Sequence, residues 1–260
     1  MKVWITGASS GIGEACAYLY AKRGDYVVIT SNEEEKLAAV ADKCLALGAA
    51  GALALPFDLL DSAGIADLVR QAWDAFGGLD LMYCNAGISQ RTTVLDTSME
   101  MVRRIMELNY FAPVAMAKAV LPLMLEAGGG HIAATTSIAG RFGFPLRCAY
   151  SSSKHALYGF FETLRAEYVS QGIKVTLVCP GRVRTNISFY ALDKGGARHG
   201  KMDPGQAGGL SPEAAARKIA RAFDKGRREV LVGRKELVMV YIKRFFPGLC
   251  ARLSTKIKST

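Results

Sequence analysis

The sequence predicts an α/β fold in which helices cover both faces of a parallel sheet. Short, fully apolar runs alternate with amphipathic stretches from the first residues onward. Strands that are apolar on both faces are typical of a buried parallel sheet, and their alternation with helices predicts βαβ units. Because such crossovers are right-handed, we expect a doubly wound, Rossmann-like sheet.

The apolar runs predict seven strands, near residues 2–6, 26–30, 51–56, 79–84, 130–136, 173–179 and 229–232. Stretches with helical periodicity predict helices near 11–23, 33–47, 62–76, 98–127, 149–170 and 212–224. No linker, repeat or low-complexity tract divides the sequence. We therefore expect a single domain over residues 1–235, followed by an extension at 236–260.

The composition limits the possible classes of protein. Half of the residues are apolar, which is enough for a sizeable core. The six cysteines are scattered without a C-x-x-C pair, which favours reduced thiols over a disulfide frame or a metal site. The three histidines show no ligand spacing, so we expect no metal. With no signal-like start and no run of about 20 apolar residues, we expect a soluble, cytoplasmic protein.

The net charge of +10 is concentrated at the C-terminal end. Residues 225–260 carry ten basic and two acidic side chains, whereas the first 224 residues are nearly neutral. From residue 236 apolar side chains recur near helical spacing among basic ones, and Pro247 should break or kink that helix. This end could lie weakly on an anionic membrane surface, or it could pack on the body or on a second copy of the chain.

The pair Tyr150 and Lys154 is the strongest candidate for catalytic chemistry. The two residues lie one helical turn apart on one face, where an ammonium can make a tyrosine more acidic. Ser137 lies thirteen positions before Tyr150 and supplies a hydroxyl. Two other Tyr-x-x-x-Lys pairs, at 18/22 and 190/194, have an apolar residue at that upstream position. The hydroxyl partner therefore distinguishes the first pair from the other two.

A glycine-rich turn follows the first predicted strand and opens a helix. It runs from Thr6 to Gly13, with glycines at 7, 11 and 13. Such a turn allows the backbone to approach a pyrophosphate at the helix N-terminus. On its own the turn would be weak evidence, but this position favours dinucleotide binding.

The end of the second strand should determine which dinucleotide binds. An acidic residue there would bind the ribose hydroxyl of NAD, and an arginine would bind the phosphate of NADP. The chain has Ser31 and Asn32, followed by the three glutamates 33–35. The glutamates disfavour a phosphate unless they simply begin the next helix, where acidic residues are favourable. Because no acidic residue stands at the strand end itself, the usual barrier to NADP is missing, and Ser31 and Asn32 could bond either cofactor. We therefore favour NADP over NAD.

The ends of the next two strands also carry short polar residues. Asp58, before Leu59, could accept a hydrogen bond from an adenine amino group, or it could cap a nearby helix. Asn85, Ala86 and Gly87 would let the backbone pass close to a ligand or would stabilise the sheet.

Asn109 lies in an apolar helical stretch where an asparagine needs partners. It could hold a kink before Pro113, or it could position a water molecule near Lys154. Further along, Pro180 and Gly181 turn the chain after the sixth strand, and Thr185 could bond a carboxamide. The irregular, glycine-rich segment 188–210 is either a substrate lid, which we favour, or a disordered connector.

In combination these motifs resemble the short-chain dehydrogenase/reductase family, in its single-domain subdivision. They occur in the family's order over about residues 1–235. In the later half, the segments 149–156, 161–167 and 245–249 also resemble the branch that contains 11-beta-hydroxysteroid dehydrogenase and dehydrogenase/reductase member 7B. Members of that family that prefer NADP usually carry an arginine in the stretch where this chain has Thr30, Ser31 and Asn32.

The resemblance implies NAD(P)-dependent interconversion of a carbonyl and an alcohol. Tyr150 would be the acid/base, Lys154 would hold the nicotinamide ribose, Ser137 would donate to the substrate oxygen and Asn109 would order a water molecule. It also implies a homodimer or homotetramer. The implied cofactor residues are Gly7, Ser9, Ser10, Gly11, Ile12, Gly13, Ser31, Asn32, Asp58, Leu59, Asn85, Ala86, Gly87, Tyr150, Lys154, Pro180, Gly181, Val183 and Thr185.

We expect Ile88, Ser89, Phe142, Phe144 and Tyr190 to line a mostly apolar substrate pocket. An oxidoreductase acting on an apolar, lipid- or steroid-like ketone or alcohol is the favoured function. The alternative is a cofactor-sensing binding protein without turnover. Loss of one or more of the four implied catalytic residues would have favoured it, but all four are present. We expect no nucleic-acid partner, since only the basic tail suggests one.

Overall fold

The computed structural model describes residues 1–257, and a seven-stranded parallel sheet forms its centre. The strands are β1 (Lys2–Thr6), β2 (Tyr26–Ser31), β3 (Gly51–Pro56), β4 (Leu81–Cys84), β5 (Gly130–Thr135), β6 (Ile173–Pro180) and β7 (Glu229–Val232). Their spatial order is β3-β2-β1-β4-β5-β6-β7, with every neighbouring pair parallel. The predicted doubly wound, Rossmann-like sheet is confirmed.

Helices connect the strands across both faces of the sheet. They are α1 (Gly11–Ala21), α2 (Glu34–Ala46), α3 (Ile65–Asp74), α4 (Met99–Met106), α5 (Ala112–Glu126), α6 (Cys148–Tyr168), α7 (Pro204–Ala207), α8 (Pro212–Asp224), α9 (Val238–Phe245) and α10 (Pro247–Ser254). The single helix predicted over 98–127 is instead divided into α4 and α5 by a π-helical turn at Glu107–Phe111. As predicted, the helix of the extension breaks at Pro247.

Two buried layers hold the helices on the sheet. On one face α1, α2 and α8 pack on the strands, and on the other α3, α5 and α6 do so. Strands β1, β2, β4 and β6 are almost completely buried because their apolar side chains meet both layers, whereas β3 and β7 at the edges of the sheet are mostly half-buried. Burial of this apolar surface is the main stabilising contribution to such a fold.

The helical stretch Met99–Glu126 is long and apolar enough to pass the usual test for a membrane span, which the sequence reading did not predict. In the structure, however, Met116, Val120 and Met124 are fully buried in the layer between α5 and the sheet. Within this stretch, 39% of the most apolar window is buried inside the structure.

The extension folds against the body of the protein. Cys250 is buried with Ile138, Phe142 and Cys179, and Glu236 accepts hydrogen bonds from the backbone N–H groups of residues 182 and 234. The outer face of the extension exposes several large apolar side chains, namely Val238, Tyr241, Phe245, Phe246 and Leu249. The predicted packing on the body is therefore confirmed for one face. The last three residues, including Lys258, lie outside the described part of the chain.

The strand order reverses between β1 and β4, so the connections after these two strands leave in opposite directions. A crevice forms at their carboxyl ends, where doubly wound sheets bind ligands. The sequence motifs that follow the strands converge there.

Candidate active site

A cavity of about 550 Å³ opens at the carboxyl ends of the strands. Most of the residues predicted to form the site line it. They are Gly7, Ser9, Ser10, Gly11, Ile12, Ser31, Asn32, Asp58, Leu59, Asn85, Ala86, Gly87, Ile88, Ser89, Ser137, Phe144, Tyr150, Pro180, Gly181, Val183, Thr185 and Tyr190. Gly13, Asn109 and Lys154 stand immediately behind this lining, and Phe142 lies elsewhere.

The glycine-rich turn has the shape that a pyrophosphate requires. Gly7 has φ +63°, and a Cβ on it would come within 2.7 Å of the Ala86 Cα. A Cβ on Gly13 would overlap the carbonyl oxygen of Gly7. Ser10 precedes α1 without capping it by its side chain, so the helix N-terminus faces the cavity with free N–H groups. These features fit the phosphates of a dinucleotide.

The corner next to β2 is polar and contains one carboxylate. Ser31 Oγ donates to Ser9 Oγ at 2.9 Å, and Ser9 Oγ donates to Glu33 Oε2 at 2.8 Å. Lys36 Nζ lies 2.5 Å from Glu33 Oε1, and this contact is the main cause of the lowered pKa of Glu33. Glu33 immediately precedes α2, and Glu34 and Glu35 lie in its first turn, so the prediction that the glutamates begin a helix is confirmed.

Asp58 also lines the cavity, and its carboxylate stabilises a local turn. Its Oδ1 accepts a hydrogen bond from the backbone N–H of Leu60 at 3.0 Å. Asn85 holds the β1 and β4 ends together, since its Nδ2 donates to the carbonyl oxygens of Thr6 at 3.1 Å and Gly7 at 3.3 Å. Both residues thus have structural roles at the edge of the cavity.

Tyr150 and Ser137 share the wall of the cavity at the start of α6. Burial raises the pKa of Tyr150, and the Ser137 hydroxyl is close enough to lower it in part. The positive charges of Arg147 and Arg91 lower this pKa as well. Two further hydrogen bonds fix Ser137, whose Oγ accepts from the backbone N–H of Ala139 at 3.1 Å and faces the Pro180 carbonyl at 3.5 Å.

Lys154 lies one turn further along α6, as predicted, with its Nζ 5.8 Å from the centre of the Tyr150 ring. Nζ donates to the carbonyl oxygen of Thr135 at 2.7 Å, and a Cβ on Gly87 would be 3.4 Å from it. Burial lowers the pKa of Lys154 to about 7. The amine therefore stands directly behind two residues of the cavity lining.

Asn109 occupies the π-helical turn between α4 and α5. Its Oδ1 accepts from the backbone N–H of Ile88 at 2.9 Å, and its Nδ2 donates to the Ile88 carbonyl at 2.9 Å and to Ser153 Oγ at 3.0 Å. Asn109 thus connects the loop that follows β4 to α6. Such turns are frequent at functional sites. The helix thus departs from regular α geometry just before Pro113, where a kink was one of the two predictions, and a water molecule near Lys154 stays a prediction.

Gln90 contributes to the site without having been predicted from the sequence. It is fully buried, and its Oε1 accepts a hydrogen bond from the backbone N–H of Tyr150 at 3.1 Å. Its Nε2 donates to Thr92 Oγ1 at 2.8 Å and to Thr97 Oγ1 at 2.9 Å. The sequence indicates this role of Gln90 only through its position next to Ser89, shortly after the motif at residues 85–87 that follows β4.

A largely buried ionic cluster of Arg91, Arg147 and Asp203 was also not predicted from the sequence. Arg91 Nη2 lies 2.5 Å from Asp203 Oδ2, and Arg147 Nη2 lies 3.0 Å from the same oxygen. Burial lowers the pKa of Arg147 to about 10. Asp203 belongs to the segment 188–210, which covers one side of the cavity. The cluster fastens this segment to the body of the protein.

Three predicted substrate residues have different surroundings. Phe144 lines the cavity and stacks on Phe142, with ring centres 4.7 Å apart. Phe142 itself faces the core under the C-terminal extension, so its placement in the substrate pocket was wrong. The hydroxyl of Tyr190 lies 3.5 Å from Lys36 Nζ, beside Glu33, which places Tyr190 at the β2 corner of the cavity.

Comparisons with known proteins agree with this geometry. Residues 1–194 match the family model described as short chain dehydrogenase. The chain is 38% identical over 257 residues to dehydrogenase/reductase SDR family member 7B of Bos taurus, covering 96% of this chain and 79% of that protein.

Two solved structures are similar over nearly the whole chain. A short chain dehydrogenase/reductase from Burkholderia phymatum in complex with NAD has a TM-score of 0.84 and 25% identity, covering 95% of this chain and 94% of that one. A short-chain dehydrogenase from Sphingobium yanoikuyae in complex with NADPH shares the fold, with a TM-score of 0.78, 24% identity and coverage of 99% and 96%. This chain therefore belongs to the short-chain dehydrogenase/reductase family and is an NAD(P)-dependent oxidoreductase.

Proposed function

We propose that this protein interconverts a carbonyl and an alcohol on a mostly apolar, lipid- or steroid-like small molecule, with Tyr150 as the acid/base. The observation that carries this proposal is that Ser137, Tyr150, Lys154 and Asn109 converge on one cavity beside a turn shaped for a dinucleotide. Phe144 and Ile88 supply apolar lining next to these polar groups.

The bound nicotinamide would supply or accept the hydride. In the direction of reduction, negative charge develops on the substrate oxygen, and the hydroxyls of Tyr150 and Ser137 stabilise it by hydrogen bonds. Tyr150 then gives up its proton to that oxygen. Lys154 would hold the ribose side of the cofactor and would favour the tyrosinate, while the Asn109 contacts keep α6 and the Ile88 backbone in position.

Replacement of Tyr150 by phenylalanine tests this role. We expect turnover of ketones, followed by loss of NADPH absorbance, to fall at least about 100-fold because the proton donor is lost. Cofactor affinity should stay within about twofold, because the phenyl ring keeps the shape of the site. Tyr18→Phe is the matched control, since Tyr18 bonds Glu14 outside the cavity lining and should leave turnover unchanged.

A near-wild-type rate in Tyr150→Phe would contradict the role of Tyr150. The second candidate function, a cofactor-sensing protein without turnover, predicts a different result. In that case NADPH would bind to the wild-type protein, but no ketone of a broad panel would be reduced.

NADP is the cofactor that we propose over NAD. Ser31 and Asn32 place no acidic side chain at the ribose position, and Lys36 neutralises much of the charge of Glu33. A side-by-side titration with NADPH and NADH, followed by quenching of tryptophan fluorescence, tests this choice. Tighter binding of NADH would contradict the choice of NADP and would indicate that the negative charge of Glu33 disfavours a phosphate at the β2 corner of the cavity.

We also propose a homodimer or homotetramer that forms through α5. The half-exposed ring of Phe111 lies beside Val114, Ala115 and Ala119 in an apolar groove of this helix. A second copy of the same helix could cover this groove. Sedimentation analysis should give more than one chain per particle for the wild-type protein, and Phe111→Glu should shift it towards the monomer.

We propose that the protein is cytoplasmic and that it contacts a membrane surface weakly. The exposed face of the extension supports this weak contact. Tyr241, Phe245 and Leu249 project from α9 and α10 together with Lys243 and Arg244. Sedimentation with anionic vesicles should carry down part of the protein at low salt, and Phe245→Ser should abolish this binding. Failure of the wild-type protein to bind at any salt concentration would remove the proposal.

A further inference from the structure

The loop 180–185, which follows β6, forms one wall of the cavity, and most of its residues line it. Its two ends lie at different parts of the site. The Pro180 carbonyl faces Ser137 Oγ at 3.5 Å. At the other end, a Cβ on Gly11 of the glycine-rich turn would come within 3.0 Å of the Thr185 side chain. A dinucleotide that extends from that turn to the proposed reacting groups would therefore pass along this loop.

The C-terminal extension supplies one of the groups that hold this loop. The backbone N–H of Gly181 donates to the carbonyl of Val232, the last residue of β7, at 2.8 Å. The next N–H, that of Arg182, donates to Oε1 of Glu236 at 2.8 Å. Glu236 belongs to the extension and lies in the turn just before α9. A side chain of the extension is thus a direct partner of the cavity wall.

The Glu236 carboxylate joins two chain segments through one oxygen. Its Oε1 also accepts a hydrogen bond from the backbone N–H of Arg234 at 3.1 Å. Arg182 follows β6 and Arg234 follows β7, so the carboxylate connects the exits of two neighbouring strands. Hydrogen bonds that a carboxylate accepts are charge-assisted and stronger than those between neutral groups. Loss of the carboxylate would leave both N–H groups without this acceptor.

Two glycines make room for the Glu236 side chain. A Cβ on Gly181 would come within 2.5 Å of Glu236 Oε1 and 2.7 Å of its Cγ. A Cβ on Gly233, the residue after β7, would overlap the same oxygen. The carboxylate can therefore reach both N–H groups because neither of these residues has a side chain. The glycine that follows Pro180 serves this contact with the extension.

We propose that Glu236 is a positioning residue, which holds the loop 180–185 in the place where it contacts the nicotinamide half of the cofactor. This inference rests on the proposed function, because that function places the nicotinamide beside Ser137 and Tyr150. Glu236 stands behind the described lining of the cavity, so it acts on the cofactor through the backbone of the loop. The adenosine half of the cofactor would bind near Ser31, beyond the glycine-rich turn, and should be insensitive to Glu236.

Two ligands separate the halves of the cofactor. NADPH would occupy the whole site, whereas 2′,5′-ADP contains the adenosine half of NADP without the nicotinamide. Calorimetric titration of the wild-type and Glu236→Ala proteins with each ligand measures the affinities without requiring turnover. We expect Glu236→Ala to bind NADPH about tenfold more weakly and to bind 2′,5′-ADP within about twofold of the wild-type protein. A merely structural role would change both affinities equally or leave both unchanged.

Conservative variants show whether the acceptor oxygen is responsible. Glu236→Gln keeps the shape of the side chain and an acceptor oxygen, so it should recover most of the NADPH affinity. Glu236→Met keeps the length of the side chain without an acceptor, and it gives the same comparison as Glu236→Ala should that variant not fold. Thermal unfolding followed by circular dichroism defines a temperature at which the titrated proteins are folded.

Asp80→Ala is the matched control. The Asp80 carboxylate also accepts from a backbone N–H, that of Lys2 at 2.7 Å, but it lies at the amino ends of β1 and β4, on the opposite edge of the sheet from the cavity. This variant should leave the affinities for both ligands unchanged. Equal losses for NADPH and 2′,5′-ADP in Glu236→Ala, or an unchanged NADPH affinity, would overturn the proposal.

The outcome is separable from that of the proposed function. A selective loss of NADPH affinity in Glu236→Ala, with no ketone reduced by the wild-type protein, would support the positioning role and contradict the proposed reaction. Reduction of ketones by the wild-type protein, with unchanged NADPH affinity in Glu236→Ala, would do the reverse.

Discussion

Gln90 Oε1 accepts a hydrogen bond from the backbone N–H of Tyr150 at 3.1 Å, and so holds the residue that carries the proposed acid. Tyr150 lies in the first turn of α6, where backbone N–H groups have no partner within the helix. Gln90 satisfies one of them from the loop after β4, and its amide nitrogen is held in turn by Thr92 and Thr97. This loop and the catalytic helix are therefore coupled through one fully buried side chain.

Replacement of Gln90 by leucine should disturb both stability and turnover. Leucine has a similar size but leaves the buried Tyr150 N–H without its partner, so we expect a loss of about 1–3 kcal/mol in the free energy of unfolding. Turnover should fall more than NADPH affinity, because the bond positions α6 and does not touch the proposed cofactor turn. Urea denaturation and NADPH titration measure the two effects. Unchanged unfolding together with unchanged turnover would show that the hydrogen bond has no positioning role.

The shape of the glycine-rich turn predicts that replacement of Gly13 by alanine strongly weakens NADPH binding. Alanine at this position would place a methyl group on the carbonyl oxygen of Gly7 and near Asn85 Nδ2, so the turn must open. We expect NADPH to bind about tenfold or more weakly. Gly143→Ala is the control, because a Cβ at Gly143 meets nothing within 4 Å. If both variants bind NADPH as the wild-type protein does, the turn is not the cofactor cradle.

Lys154 predicts a specific dependence of stability on pH in the cofactor-free protein. Folding lowers its pKa from 10.5 to about 7, so the unfolded chain holds the proton more tightly. The stability linked to this group is therefore complete above about pH 10.5 and is lost as the pH falls towards 7. Between pH 7 and 8.5 the wild-type protein should gain about 1.5 kcal/mol relative to Lys154→Met.

The comparison with Lys154→Met is necessary because buried thiols act in the opposite direction. Burial raises the pKa of Cys179 to about 11 and that of Cys84 to about 12. Their contribution is lost as the pH rises above about 9, beyond the range from pH 7 to 8.5, and only Cys84 is coupled to Lys154, whose charge lowers its pKa in part. Urea denaturation at the two pH values gives the difference directly. A difference that does not change with pH would mean that Lys154 keeps its ordinary pKa in the folded protein.

The sheet could be predicted from the sequence because each strand is a short, mostly apolar run, which the fold buries on both faces in the centre of the sheet and half-buries in β3 and β7 at its edges. The bounds of β1, β3 and β7 agree with those runs to the residue. The π-helical turn at Glu107–Phe111 could not be predicted in this way. It depends on the contacts of Asn109 with Ile88 and Ser153, which lie 21 and 44 residues away.

The same limit explains which parts of the site were missed. The motifs after the strands could be identified because each one is local in sequence. Arg91 and Asp203 are 112 residues apart, and neither belongs to a motif, so only the fold brings them together. Phe142 and Phe144 were indistinguishable in sequence, and only the position of the extension shows that one faces the core and the other the cavity.

The segment 188–210 should depend on Asp203 for its attachment. Asp203→Asn removes the negative charge between two buried guanidinium groups, and breaking such a pair costs about 3 kcal/mol. If the segment opens locally, the open fraction should rise about 100-fold. Trypsin should then cut the native protein faster after Lys194, Arg198 and Lys201, which mass spectrometry of the fragments would show.

An exposed ion pair elsewhere in the chain gives the matched control for this prediction. Arg23 binds Asp224 with two hydrogen bonds of 3.0 and 3.1 Å, but both side chains are more than a third exposed. Asp224→Asn should therefore cost less than about 1 kcal/mol and leave the cleavage rate unchanged. Equal cleavage rates in the Asp203→Asn and wild-type proteins would mean that other contacts hold the segment. Faster cleavage only in Asp203→Asn would make the buried cluster its main attachment.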